Sequence, residues 1–195
     1  MPNNNSKNFK CLDNLIHSGV KEIVLDSDIV LAVEEESQYL NGIKLDVDDW
    51  AIDGNGHAID ARGLTRIFYC TGKNIIIKNI ILKNGFTKDY GGAIYNSDGE
   101  LTITESTLNN NTAKLYGGAI SNWGGELTIT ESTLNNNTAK NGDGGAIENR
   151  EGELTITEST LTENTARYGG AIGNLDEKSF KIKDCKLDNN IPNNY

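Results

Sequence analysis

The sequence predicts an all-β fold, a single-stranded parallel β-helix in which the chain winds into about 6–7 stacked coils. Two motifs carry this prediction, because both recur in one register at steps of 25 to 27 residues along the 195-residue chain. Gly-Gly-Ala-Ile begins at Gly91, Gly117, Gly144 and Gly169, and Glu-Leu-Thr-Ile-Thr begins at Glu100, Glu126 and Glu153. Two motifs that keep one phase indicate a solenoid built from nearly identical coils.

The third observation is the alternation inside the second motif. In Leu101-Thr102-Ile103-Thr104 apolar and polar residues alternate with a period of two, which is typical of a β-strand with Leu and Ile on one side and Thr on the other. The spacing of three to four residues that is typical of a helix is absent from this motif. Each copy therefore contributes strands to the solenoid.

The N-terminal half keeps the same repeat register, but its residues match the two motifs less closely. Asn74-Ile75-Ile76-Ile77-Lys78 takes the place of Glu-Leu-Thr-Ile-Thr, and Ile67-Phe68 takes the place of Ala-Ile. A short amphipathic helix precedes the coils and would cover the unpaired edge of the first one. Its apolar face consists of Phe9, Leu12, Leu15 and Ile16. The predicted order is a disordered tail (1–7), the capping helix (8–19), divergent coils (20–90), tandem repeat coils (91–190) and a C-terminal tail (191–195).

Two asparagine columns run through the repeats. The first ends each Leu-x-x-Asn segment and is replaced by Gly85 in one coil. Because asparagine and glycine tolerate a left-handed backbone, we expect a turn with positive φ at this column. Stacking of the coils would also turn both columns into amide ladders. The first column is Asn111, Asn137, Asn164 and Asn190, and the second is Asn96, Asn122, Asn149 and Asn174.

The pairing of Gly-Gly-Ala-Ile with Leu-x-x-Asn resembles the chlamydial polymorphic outer-membrane protein repeat, whose signature is Gly-Gly-Ala-Ile plus Phe-x-x-Asn. Leucine stands here where that family has phenylalanine. The N-terminal coils from Ile23 to Ile59 are similar to pectin-lyase-like β-helices, and the whole arrangement is similar to adhesin-like surface proteins of methanogenic archaea. The resemblance implies right-handed coiling, a place at the cell surface and attachment to a glycan or a surface protein. It implies no catalytic residues.

The best candidate for a binding face is the loop that follows each Thr-Ala pair, because this loop varies in length between copies. Its tyrosines could stack against sugar rings or a protein partner, with cationic side chains beside them. The alternative is that each tyrosine packs over its own coil. The candidate residues are Tyr90, Tyr116 and Tyr168 with Lys88, Lys114, Lys140 and Arg167.

Two columns of glutamate offer a weaker possibility, a Ca²⁺ site, and no other cofactor is predicted. Like charges stacked directly opposite one another are destabilising, so each column is well solvated, is balanced by neighbouring Lys, or holds a cation through its oxygens. No calcium-loop motif supports the last alternative. The candidate metal ligands are Glu105, Glu131 and Glu158, and the second column is Glu100, Glu126 and Glu153.

Composition excludes two classes of partner. A formal net charge of −10 disfavours nucleic acid, whose phosphates would be repelled. No apolar run approaches the roughly 18 residues that insert into a bilayer, so we expect no direct membrane insertion. The chain as given shows neither a signal-peptide core nor an anchor, which leaves open export, a piece of a longer surface protein and a cytoplasmic location. Its cysteines, Cys11, Cys70 and Cys185, are interpreted as free thiols.

An enzyme is the rival class, because many parallel β-helices act on polysaccharides. One early coil is rich in carboxylates and also holds His57 and Arg62, the residue types that a lyase or hydrolase needs. The carboxylates are Asp46, Asp48, Asp49, Asp53 and Asp60. They all belong to this one stretch of sequence, so we predict no catalysis. The sequence favours a non-catalytic binding module, with a structural spacer of a larger surface protein or a polysaccharide lyase or hydrolase as the alternatives.

Overall fold

A computed structural model of the chain describes residues 8–175 and 180–193. It confirms the predicted class, because the chain forms an all-β parallel solenoid of about six coils with a single short α-helix at its N-terminal end. The predicted tail over residues 1–7 and residues 194–195 lie outside the described part. Ile191, the first residue of the predicted C-terminal tail, still pairs in parallel with Thr165.

The strands stack into four parallel sheets, named A to D here. Sheet A contains Glu22–Val24, Trp50–Asp53, Ile75–Lys78, Glu100–Thr104, Glu126–Thr130, Glu153–Thr157 and Phe180–Lys183. Sheet B contains Ile29–Val30, Ala58–Asp60, Ile81–Lys83, Thr107–Asn109, Thr133–Asn135, Thr160–Thr162 and Lys186–Asp188. Sheet C contains Ile43–Leu45, Phe68–Cys70, Ile94–Ser97, Ile120–Trp123, Ile147–Arg150 and Ile172–Asn174. Sheet D contains Phe86–Thr87, Thr112–Ala113 and Thr138–Ala139.

Residues one repeat apart pair directly, which is the register that the motifs predict. Leu101 pairs with Leu127 in sheet A, and both side chains are buried. The next residues of the two strands, Thr102 and Thr128, face outward and are half-buried. The weaker N-terminal frame is confirmed as well, since Ile75 pairs with Leu101 and Phe68 with Ile94. The core is therefore a set of aliphatic columns that run along the solenoid axis.

The glycine pair of each Gly-Gly-Ala-Ile motif is required by the backbone. Gly117 has a φ of +63°, a left-handed conformation that other residues adopt only at a cost. A Cβ atom on Gly118 would lie 2.1 Å from the carbonyl oxygen of Gly145 in the next coil. The first glycine therefore makes the turn, and the second lets adjacent coils approach closely.

The capping helix spans Phe9–Ile16, inside the predicted range of 8–19. The side chain of Asn8 accepts a hydrogen bond from the backbone N–H of Cys11 and so caps the first turn. Of its apolar face, Phe9, Leu12 and Ile16 are buried and Leu15 packs partly against the core. A 3₁₀ helix, Val33–Gln38, lies between the first strand of sheet B and the first strand of sheet C.

The expectation of positive φ at the Leu-x-x-Asn column is wrong. Each asparagine of this column is buried and points into the core, and the left-handed residue is its exposed predecessor. The left-handed residues are Asn84, Asn110, Asn136, Glu163 and Asn189. Gly85 replaces asparagine for a different reason, because a Cβ there would lie 2.2 Å from the carbonyl oxygen of Gly92.

Candidate functional site

Both asparagine columns form hydrogen-bonded ladders inside the solenoid. In the first, Asn111 Nδ2 donates to Asn137 Oδ1 at 3.0 Å, and Asn137 Nδ2 donates to Asn164 Oδ1 at 3.0 Å. In the second, Asn96 Nδ2 donates to Asn122 Oδ1 at 2.6 Å. These amides satisfy one another and nearby carbonyls in the core, except that Asn96 Oδ1, at the end of its ladder, has no hydrogen-bond partner among the described residues. They position the coils and are not available to a ligand.

The outer surface of sheet C carries an aromatic column. Tyr69 and Tyr95 are paired residues of adjacent coils, and both side chains point outward. Their ring centroids lie 5.5 Å apart with an interplanar angle of 16°, so the rings stack. This column continues as Lys44 in the coil before Tyr69 and as Ser121 in the coil after Tyr95.

A second stack comes from the loop that enters sheet C. Tyr90 and Tyr116 lie 5.8 Å apart at 15°. Tyr90 also contacts Tyr95, at 6.0 Å, and meets Trp123 edge to face, at 5.8 Å and 80°. The two stacks therefore merge into one cluster. We call it the aromatic face, and its members are Tyr69, Tyr90, Tyr95, Tyr116 and Trp123.

Two arginines are built into the aromatic face. The Cζ atom of Arg150 lies 5.3 Å from the ring centroid of Tyr116 and 5.1 Å from that of Trp123. Its guanidinium therefore makes cation–π contacts with both rings. Arg66 lies 5.3 Å from the ring of Tyr95 and is 95% buried, with 5% of its surface exposed. Burial lowers the pKa of Arg66 to about 10.

Arg66 fixes the loop that carries Tyr90. Its Nε donates to the carbonyl oxygen of Gly91 at 2.9 Å, and its Nη1 donates to that of Asn41 at 3.3 Å. Backbone carbonyls are strong acceptors that must be satisfied when buried. Arg66 therefore ties two neighbouring loops together beneath the tyrosines.

A buried carboxylate supports Arg150. Glu148 is 1% exposed, accepts a hydrogen bond from Ser121 Oγ at 2.6 Å and forms an ion pair with Arg150 Nε at 3.3 Å. Burial raises the pKa of Glu148, while the bond from Ser121 and the charge of Arg150 act in the opposite direction. Sequence reasoning missed this residue, because in other coils the same column holds Tyr95, Ser121 and Gly173.

The structure brings together only part of the tyrosine stripe that the sequence predicts. Tyr90 and Tyr116 stack, but the next coil places Asp143 in their column, and Tyr168 comes only after it. Tyr168 is 58% exposed, and Arg167 lies 5.3 Å from its ring. The predicted cations Lys88, Lys114, Lys140 and Arg167 are all exposed.

A cleft of about 660 Å³ opens between the capping helix and the aromatic face. Its lining includes Gly42 and three tyrosines, Tyr39, Tyr69 and Tyr95. The rest of the lining is polar and comes from the helix, from the segment that leads into sheet C and from the first strand of that sheet. These polar residues include Asp13, His17, Gln38, Asn41 and Lys44.

A histidine pins the capping helix beside this cleft. His17 Nε2 lies 3.0 Å from Asp46 Oδ1, and its Nδ1 lies 2.9 Å from the carbonyl oxygen of Asp13 and 3.0 Å from its carboxylate. Burial by itself lowers the pKa of His17, but the hydrogen bonds and charges of Asp46 and Asp13 raise it above its ordinary value overall. Tyr39 donates its hydroxyl to Asp13 Oδ2 at 3.0 Å. The helix is therefore held to the coils through Asp13 and through His17 at its C-terminal end.

The glutamates of the two columns are exposed apart from Glu100, which is half-buried, and none of them lines the cleft. Glu105, Glu131 and Glu158 each adopt a left-handed conformation, with φ of 49°, 48° and 49°, in the turn after sheet A. Within residues 8–175 and 180–193, no group of three or more histidine, cysteine or acidic residues is placed to hold a metal ion. The calcium alternative gains no support from this arrangement.

The early acidic residues serve separate turns and ion pairs. Asp46 holds His17, Asp48 accepts the backbone N–H of Lys73, and Asp53 accepts that of Asn55. Similar contacts occupy the other members of the cluster: Asp60 accepts the N–H of Arg62, Asp49 accepts from Asn74, and His57 contacts Asp28. The five carboxylates of this cluster and His57 therefore each have a structural partner.

Comparison with known proteins points to one repeat family. The family described as Chlamydia polymorphic membrane protein (Chlamydia_PMP) repeat matches residues 105–122, which hold one Leu-x-x-Asn segment and one Gly-Gly-Ala-Ile motif. No curated protein and no solved structure matches the chain. Among the described residues, no helix is long and apolar enough to cross a membrane. The chain is a parallel β-helix repeat protein, and its residues 105–122 match the Chlamydia polymorphic membrane protein repeat.

Proposed function

We propose that this chain is a non-catalytic, adhesin-like binding module of a cell surface, and that it recognises a glycan or a protein through the aromatic face. The repeat match and the solenoid fold support the surface assignment. The observation that carries the binding proposal is the gathering of five aromatic rings and Arg150 on one outer surface of the solenoid.

The composition of this surface supports recognition. Tyrosine, tryptophan and arginine are the residues that are most enriched at the energetic centres of interfaces. All five rings of the aromatic face are half-buried, so each keeps a part that a ligand can contact. The cationic loops at Lys88 and Lys114 adjoin Tyr90 and Tyr116 in sequence and provide a polar rim.

The rings are also held in place before any ligand arrives. Tyr95 and Trp123 stand on strands whose register is fixed by the coil above and the coil below. Glu148 holds Arg150 through an ion pair. Arg66 holds the loop that carries Tyr90 through a hydrogen bond to Gly91. A rigid surface loses little conformational entropy on binding, which favours affinity.

The test is a glycan-array and whole-cell binding screen with the purified chain, in the presence and absence of EDTA. The test variant combines Tyr95→Ser with Trp123→Ser, because the coils adjacent to these positions already carry Ser121 and Ser97 there. Each substitution therefore places a residue that the solenoid accommodates one coil away. We expect saturable binding to weaken by at least about tenfold, the equivalent of losing one good contact.

Tyr168→Ala is the matched control, because Tyr168 is an exposed tyrosine outside the aromatic face. It should leave binding unchanged. Binding lost in Tyr168→Ala but kept in the double variant would overturn the assignment of the face. Loss on EDTA alone would direct attention to the glutamate columns. No binding by a chain that unfolds cooperatively would leave the structural spacer as the better account.

A further inference from the structure

The rings of Tyr69 and Tyr95 form a parallel stack within the aromatic face. In a parallel stack with centroids 5.5 Å apart and planes at 16°, Tyr69 and Tyr95 cover each other's inner faces. Tyr95 also has Arg66 and Tyr90 beside it. Tyr116 is covered by Tyr90 on one side and contacted by Arg150.

Tyr69 is the end of its stack. Across the described residues its one ring contact is with Tyr95, and the position before it in the column is Lys44, which is not aromatic. The cleft of about 660 Å³ begins at this end and has Tyr69 in its wall. Lys44 also lines the cleft, so the cleft lies against the end of the tyrosine stack.

We propose that this cleft is a sugar-binding subsite, in which a pyranose ring of a glycan packs its C–H face on the ring of Tyr69. This inference rests on the proposed function and names the ligand class and the place of contact. A volume of 660 Å³ lies within the range of about 300–1,000 Å³ that is typical of ligand sites.

The polar lining fits the rim of a pyranose. A pyranose presents hydroxyl groups around its edge that both donate and accept hydrogen bonds, and the side-chain amides of Gln38 and Asn41 do the same. Asp13 adds an acceptor and Lys44 adds a donor. One aromatic wall with a few convergent polar groups is the usual composition of a small-ligand site.

The capping helix completes the subsite. Asp13 and His17 belong to the helix or its end, while Lys44 and Tyr69 belong to the coils. The contacts from Tyr39 to Asp13 and from Asp46 to His17 lock the two parts together. The walls are therefore fixed in advance, which reduces the entropic cost of binding.

The experiment measures binding of methyl pyranosides to the whole chain. The probes are methyl β-glucoside, methyl β-galactoside, methyl β-N-acetylglucosaminide and methyl β-glucuronide, with saturation-transfer NMR for contact and calorimetry for affinity. Tyr69→Ser removes the wall and introduces the residue that this column carries at Ser121. Asn41→Ala removes one polar partner from an exposed position. Tyr168→Ala is the matched control, because this exposed tyrosine does not line the cleft.

We expect at least one pyranoside to bind, Tyr69→Ser to weaken it by about tenfold or more, and Asn41→Ala by about fivefold. Tyr168→Ala should change affinity by less than about twofold. If Tyr69→Ser fails to unfold cooperatively, Asn41→Ala and Gln38→Ala carry the same test.

Failure of the subsite is distinguishable from failure of the proposed function. Pyranoside binding that survives Tyr69→Ser and Asn41→Ala but is lost in Trp123→Ser overturns the subsite and keeps the aromatic face. Absence of binding to every pyranoside overturns the subsite too, and the screen of glycans and cells then decides the proposed function by itself.

Discussion

Asn137 Oδ1 accepts two hydrogen bonds from Asn111, one from Nδ2 at 3.0 Å and one from the backbone N–H at 3.1 Å. Asn137 in turn donates its own Nδ2 to Asn164 and to the carbonyl oxygen of Leu108. All three asparagines are fully buried. One side chain therefore links three coils and satisfies backbone groups that have no access to water.

Asn137→Ala is expected to reduce the free energy of unfolding by about 3 kcal/mol, because it leaves buried donors of Asn111 and a buried carbonyl without partners. Urea unfolding followed by circular dichroism measures this. Asn135→Thr is the matched control, since the paired position in the next coil is Thr162 and the amide oxygen of Asn135 has no hydrogen-bond partner. It should change stability by less than about 0.5 kcal/mol. Equal losses in the two variants would contradict the ladder.

Glu131→Asn is expected to stabilise the chain by about 1 kcal/mol. Glu131 has a φ of 48°, which asparagine adopts more readily, and the same turn in an earlier coil holds Asn79 at 49°. The substitution also removes the central charge of the column Glu105–Glu131–Glu158.

Thermal unfolding at low and high salt separates the two contributions to this gain, because salt screens the charge term alone. Glu126→Gln serves as the control, since it removes an exposed charge from a strand that has no left-handed residue at that position. A destabilised Glu131→Asn variant would show that the carboxylates make a contact that this account lacks.

Gly118→Ala is expected to destabilise the chain by about 3 kcal/mol or more, because the new Cβ would meet the backbone of the next coil at Gly145. Gly56→Ala is the comparison. Gly56 has a φ of +80° but open space around its Cβ position, so only the backbone cost of about 1 kcal/mol applies. Urea midpoints of the two variants measure the difference, and a milder effect at Gly118 than at Gly56 would contradict the close approach of the coils.

The ion pairs of His17 predict a pH dependence of the capping helix. Because the pKa of His17 is raised in the folded state, its contribution to stability is fully present below its unfolded pKa of about 6.5 and is lost as the pH rises through the folded value. His17 is 40% exposed, so salt should reduce the effect.

The measurement is an NMR titration of His17 together with thermal unfolding between about pH 5 and 9. The folded chain should lose stability toward high pH more steeply than His17→Gln does. Identical profiles for the two proteins, or a titration midpoint of His17 at or below its ordinary value, would rule out this role.

The repeats allowed the fold to be predicted because each coil of a solenoid contacts only the adjacent coils. Once Leu101 and Leu127 occupy one phase, parallel pairing and a common inward face follow. The turns were harder. Asparagine at 111 was interpreted as a left-handed residue, whereas it is a buried ladder amide and Asn110 makes the turn. Both residues are asparagine in this coil, so composition alone does not distinguish them.

The aromatic face was only partly predictable. Tyr90 and Tyr116 share a loop position and were found from it, but Trp123 reaches them from a strand. Tyr69 and Tyr95 are 26 residues apart, which is the repeat step, and this spacing was the available signal. Arg150 and Glu148 have no equivalents in the other coils, so only the folded geometry reveals their contacts with the rings.

The most direct test of the central claim is oxidative footprinting of the chain bound to the cells or glycans that the screen identifies. Hydroxyl radicals modify exposed tyrosine and tryptophan, and mass spectrometry locates the change. The account predicts that ligand protects Tyr95, Tyr116 and Trp123 while Tyr168 is modified equally with and without ligand. Protection of Tyr168, with the aromatic face modified as in the free chain, would contradict it.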